Sequence, residues 1–193
     1  MEKVKAVEFY NAWLKIVNKR IDELLPIWRN NKIFTSCIIG NDSSIIKEVA
    51  NELDLLSYEN NYYCIDTILY KTEDRTPKIE ENSFWFRDLR VAFEHENNFC
   101  SGLYQEVSHL LITNCDLKVL VTYPNGEIEN ELEYLHEIIS GNRNSNEISK
   151  DESFLLIFGY EKDFRWEGRI YGDNGWIALD TAANSRFSQL RIL

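Results

Sequence analysis

Proline and glycine are scarce in this 193-residue chain, at 3 and 8 residues, and methionine occurs once. No Pro/Gly/Ser-rich linker divides the sequence, and no repeat or low-complexity tract interrupts it, which excludes solenoid and fibrous architectures. No apolar run approaches the roughly 20 residues of a membrane-spanning helix. The opening stretch MEKVKAVEFYNAWLKIV is charged and mixed, without an apolar signal core or a small-residue cleavage site, so a cytoplasmic protein with no membrane partner is expected. Four cysteines, Cys37, Cys64, Cys100 and Cys115, form no CxxC pair; three lie in apolar runs, so reduced, mostly buried thiols are expected.

Positive charge is also in short supply. The chain carries 21 Lys/Arg against 32 Asp/Glu, a net charge of −11. The deficit is local: residues 51–150 hold 8 basic against 19 acidic side chains, whereas residues 1–50 hold 8 against 6. Uniform acidity repels nucleic acid at long range. A locally acidic block can instead mark a site whose charge a bound cation offsets.

What is present is a globular composition, 44% hydrophobic and 13% aromatic, at a length suited to one domain with a sizeable core. Apolar spacing predicts a helix over 3–28, and NDSSIIKEVANELDLL reads as a second helix capped by Asp42 or Ser43. IFTSCIIG lies between them as a short apolar segment. The stretches 62–70 and 84–96 read as strands, 101–115 as a helix capped by Ser101, and 117–124 as a strand covered on both faces. NGEIENELEYLHEIIS is a further helix, GNRNSNEISKDE a surface loop, SFLLIFGYE a strand, and RIYGDNGWIAL a hairpin turning at Asp173-Asn174-Gly175. The expected class is α/β, a mixed central sheet flanked by helices, in a single domain over 1–193.

Residues i and i+2 of a strand share a face, so VAFEHE places Glu94 and Glu96 together, with Phe93 and His95 opposite. Two carboxylates that close at the end of an apolar run need compensation: a proton, a basic partner or a bound cation. Asp66, in the apolar stretch CIDTILY, approaches both glutamates if strands 62–70 and 84–96 pair. Three carboxylates suit Mg²⁺ or Mn²⁺ better than zinc.

The string IDTILYK…RVAFEHENN…YQEVSHLL…DLKVLVTYP resembles the catalytic core of the PD-(D/E)xK, or restriction-endonuclease-like, nuclease superfamily, over roughly residues 43–124. The resemblance implies an αβββαβ core; the residues themselves place a helical element over 1–42 before it and a helix, strand and hairpin over 125–193 after it. The motif lysine is absent: Glu96 stands in its place, similar to the ExE restriction enzymes of that superfamily. Asp66 and Glu94 are then implied to hold one or two Mg²⁺ or Mn²⁺ ions, with the His95 main-chain carbonyl as a further ligand. Glu96 is implied to ligate or orient the attacking water as general base, and Glu48 or Glu52, on the preceding helix, to assist the metal. His109 falls where relatives place a lysine. DNA is the implied substrate, and a homodimer is the usual arrangement for cutting both strands.

Arg75, Lys78, Arg87 and Arg90 surround the connection between the two acid-bearing strands. They either steer phosphate or pair with Glu73, Asp74, Glu80, Glu81 and Asp88. Two functions compete: a metal-dependent DNA endonuclease, or a non-catalytic nuclease-fold protein that binds a basic partner through its acidic surface.

Overall fold

A computed structural model describes residues 3–179 apart from 29, 41, 81 and 101. The apolar stripe of the first helix forms α1 (Ala6–Lys19), burying Phe9, Tyr10, Trp13, Leu14 and Val17. The expected single helix over 3–28 breaks at Arg20, whose backbone leaves helical geometry at φ −109°, ψ 22°. Its guanidinium is occupied instead by Glu23, Glu48 and the Ser43 carbonyl. α2 (Ile21–Leu24) and a single 3-10 turn at Leu25–Ile27, started by Pro26, follow. The segment IFTSCIIG becomes α3 (Asn31–Ile38). α4 (Ile45–Glu52) is capped by Ser44, rather than Asp42 or Ser43: its Oγ accepts the Lys47 N–H at 3.2 Å.

Among the described residues, seven strands stand in chain order in one sheet: β1 (Leu56–Tyr58), β2 (Thr67–Tyr70), β3 (Val91–Glu96), β4 (Leu117–Thr122), β5 (Phe154–Tyr160), β6 (Arg165–Gly172) and β7 (Gly175–Leu179). β1, β2 and β3 pair antiparallel, β3, β4 and β5 parallel, and β5, β6 and β7 antiparallel. Each parallel connection needs a crossover. α5 (Leu103–Ile112) joins β3 to β4, and α6 (Glu129–Ser140) with α7 (Ser145–Lys150) joins β4 to β5.

Side-chain alternation along the strands feeds two apolar cores. On one face Phe9, Trp13, Ile45 and Val49 pack with Leu69, Phe93, Val121 and Trp166. On the other, Val107, Leu110, Leu135 and Ile139 pack with Ile68, Ala92, Leu120 and Phe158. The result is helix, sheet, helix in three layers, and β4 is buried along its whole length as its apolar run required. No helix among the described residues is long and apolar enough to cross a membrane.

Several boundaries differ from expectation. The strand expected over 62–70 begins only at Thr67, because Asn61, Tyr63 and Cys64 adopt φ of +48°, +51° and +70°. Tyr62 and Ile65 close that turn with reciprocal N–H···O=C bonds of 2.8 and 3.1 Å. The strand expected over 84–96 begins at Val91; Phe84 and Phe86 pack on the Tyr58 ring instead of pairing in the sheet. The short edge strand β1 was not foreseen, and α7 lies within the segment read as loop. Cys37 is buried, but Cys64 and Cys100 are exposed, so the expectation of mostly buried thiols fails where apolar runs turn into loops. The Ser101 cap lies outside the described residues. The final hairpin forms as expected, with Gly172 opposite Gly175 across Asp173-Asn174.

Candidate metal centre

β3 carries the site because its alternation splits six residues between two layers. Val91 and Phe93 join the α1 side, and His95 follows them, its ring facing Phe34 and Tyr123. Ala92 joins the α5 side, and the pleat sends Glu94 and Glu96 the same way. The β2–β3 register pairs Thr67 with Phe93, so one step further Asp66 stands opposite Glu94. Main-chain bonds lock the two carboxylates together. The Asp66 N–H donates to Glu94 Oε2 at 3.1 Å, and the His95 N–H donates to Asp66 Oδ2 at 3.0 Å.

α5 completes the arrangement from above the sheet. Glu106 and His109, three apart, share one face of this helix. His109 Nδ1 lies 3.4 Å from Glu106 Oε2 and 3.7 Å from Glu94 Oε1. One ligand atom from each of Glu94, Glu106 and His109 falls within 4.8 Å of the other two, so this group could hold a metal ion. Glu94 is 1% exposed, and its Oε1 has no hydrogen bond among the described residues. Burial, with Asp66 and Glu106 alongside, pushes the Glu94 carboxyl up to about 9. Burial likewise raises Asp66, opposed by the His95 N–H bond, and raises Glu106, opposed by His109. The cluster is therefore short of positive charge, and its two-carboxylate, one-imidazole donor set fits a dication.

Of the residues singled out in the sequence, Asp66 and Glu94 are brought together, and His109 joins them from the helix. Glu96 lies on the same face but is half-buried, with Oε1 accepting the Asn98 N–H at 2.6 Å. His95 turns its ring away: Nε2 is 2.8 Å from Tyr123 Oη, and burial lowers the imidazole to about 3, so it is neutral. Its main chain is the link to the site, the N–H donating to Asp66 Oδ2 at 3.0 Å.

Glu48 and Glu52 do not reach the cluster. α4 packs in the opposite layer, where Glu48 pairs with Lys19 at 3.2 Å and Arg20 at 3.0 Å, and Glu52 with Lys15 at 2.5 Å. For Arg90 the structure gives the second of its two alternatives, an ion pair, and sets aside its role as a phosphate contact. It is 3% exposed and clamped to Asp74 through two bonds of 2.7 and 2.5 Å, with Asp88 and Asp116 at 3.7 and 3.6 Å. Such a buried pair is a structural element and has no surface to offer a phosphate. Arg75 donates to the Ser83 carbonyl at 2.8 Å and lies over the Phe84 ring, while Arg87 donates to the Glu73 carbonyl. Lys78 is exposed in the same connection at φ +61°.

Glu106 is the residue the sequence reading missed. The signal was there, an acid and a histidine three apart in YQEVSHLL, the spacing by which helices present paired metal ligands. Which face of that helix meets β3 is decided only by packing. No protein-family model matches the chain, and no curated protein or solved structure matches it either.

Proposed function

We propose that the protein is a nuclease that hydrolyses phosphodiester bonds of DNA with Mg²⁺ or Mn²⁺, in one or two positions. The observation that carries this reading is Glu94: a carboxylate held at the sheet interior, paired with Asp66 across two strands, with one oxygen unbonded among the described residues. The succession α4, β1, β2, β3, α5, β4 also supports it, since helix, three strands, helix, strand is the order the PD-(D/E)xK resemblance implies. A dication there supplies the missing positive charge, polarises a phosphate and lowers the pKa of a coordinated water. Asp66 and Glu94 would hold it, each with one oxygen oriented by a main-chain N–H. Glu96, towards the solvent end of β3, orients the attacking water in the place of the motif lysine.

A second reading has its own support. The chain is strongly acidic, and Arg75, Arg87 and Arg90 are engaged within the fold, which suits a non-catalytic protein that binds a basic partner. Calorimetric titration with Mn²⁺ and Mg²⁺ on wild type and Asp66→Ala, followed by plasmid nicking, separates the two. The nuclease reading expects Mg²⁺ heat that the substitution removes, and Mn²⁺-dependent nicking by wild type alone. Heat without nicking supports the binding protein, and no heat in either protein removes the metal centre.

A further inference from the structure

We infer that Glu106 and His109 of α5, together with Glu94 of β3, form a second cation position containing a nitrogen donor, so that Glu94 bridges two positions and the site selects Mn²⁺ over Mg²⁺. The two oxygens of Glu94 already face different partners. Oε2 accepts the Asp66 N–H, while Oε1 points to His109 Nδ1 at 3.7 Å and has no hydrogen bond among the described residues. A carboxylate buried to 1% exposure with one oxygen unbonded is costly unless a proton or a cation meets that oxygen. His109 Nδ1 is also without a hydrogen-bond partner among the described residues, although it faces two acids. If the imidazole only neutralised those acids, a short charge-assisted bond of about 2.7–2.9 Å would be expected. The observed separations of 3.4 and 3.7 Å leave room for an ion between ligands.

Donor chemistry then sets the preference. Mg²⁺ favours an all-oxygen octahedral shell and keeps several waters, whereas imidazole raises affinity along the series that begins with Mn²⁺. The Asp66–Glu94 position is all oxygen and accepts either ion. The Glu94–Glu106–His109 position is mixed and discriminates. The inference rests on Glu94 as a metal ligand, not on phosphodiester chemistry.

Pulsed electron paramagnetic resonance of the Mn²⁺-loaded protein tests it, because a coordinated imidazole imprints nitrogen modulation on the echo. The expected result is modulation in wild type and in Asp66→Ala, and its loss in His109→Ala and His109→Gln. Gln preserves helix propensity and polarity should Ala perturb folding. Calorimetry should count two Mn²⁺ per wild-type chain and one per His109 variant. Affinity at the lost position should fall by at least the ~10-fold that even changes around a ligand cause. Mg²⁺ binding should be unchanged by the His109 substitutions. Absence of nitrogen modulation in wild type, or equal Mn²⁺ counts in wild type and His109→Gln, overturns the inference. Nicking that depends on Asp66 but comes without nitrogen modulation would sink this position and spare the nuclease reading. Nitrogen modulation without nicking would do the reverse.

Discussion

Glu94 departs far from what a lone side chain would choose. Its carboxyl is raised to about 9 by burial and then by Asp66, while an unfolded glutamate titrates near 4.5. A folded-state value above the unfolded one gives stability that is present below 4.5 and drains away as pH climbs through 9. Asp66, raised by burial, acts in the same direction. In chelator, the melting temperature of wild type should therefore fall as pH rises across that interval. Glu94→Gln, which mimics the neutral acid, should flatten the fall and melt higher than wild type at pH 8. Mn²⁺ should restore wild type at pH 8 and leave Glu94→Gln nearly unmoved. A wild-type curve that is flat from pH 5 to 9 would contradict this account. At the same scale, the approach of Asp66 to Glu94 could be read from the strand period if their strands pair, but which of its two alternatives Arg90 takes could not. Asp74 and Arg90 are 16 positions apart, and only the fold of the intervening connection brings them into one buried pair.

At the scale of elements, the pattern that was legible is the one physics repeats. β4, β5 and the β6–β7 hairpin lie close to their expected positions because continuous apolar runs and an Asp-Asn-Gly turn have few alternatives. β2 and β3 proved shorter, because aromatic residues serve equally well as strand formers and as packing for a loop. Packing between elements also sets what β5 tolerates. A Cβ at Gly159 would meet Trp166 Cζ3 at 2.7 Å and Tyr123 Cδ1 and Cε1 at 2.9 Å, inside a tight group of rings. Gly159→Ala should cost about 1–3 kcal/mol in urea unfolding, the usual penalty of overpacking. Because Tyr123 contacts His95, the same variant should shift the His95 ring resonances in NMR. Unchanged stability would mean that the rings yield more easily than their contacts imply.

For the whole molecule, charge governs how a polyanion is met. With a net charge of −11 and three of its central arginines engaged internally, the protein has little with which to displace counterions from DNA. Under the nuclease reading, the bound dication makes the principal phosphate contact. Fluorescence anisotropy with a duplex oligonucleotide should then show no association in chelator and binding in Ca²⁺. The slope of log K against log salt should be about −2 or shallower. Strong binding in chelator with a steep slope would contradict this account.

The linear order of residues by itself determined the α/β class, the alternation that aims Glu94 and Glu96 to one side, and the acidity of the central block. These follow from period and composition, which need no knowledge of distant neighbours. Tertiary structure alone decided that Glu48 and Glu52 serve ion pairs in the other layer, that Arg90 is buried, and that Glu106 and His109 descend on Glu94. A helix offers several faces of similar polarity, and the one that meets the sheet is selected by apolar packing along its whole length.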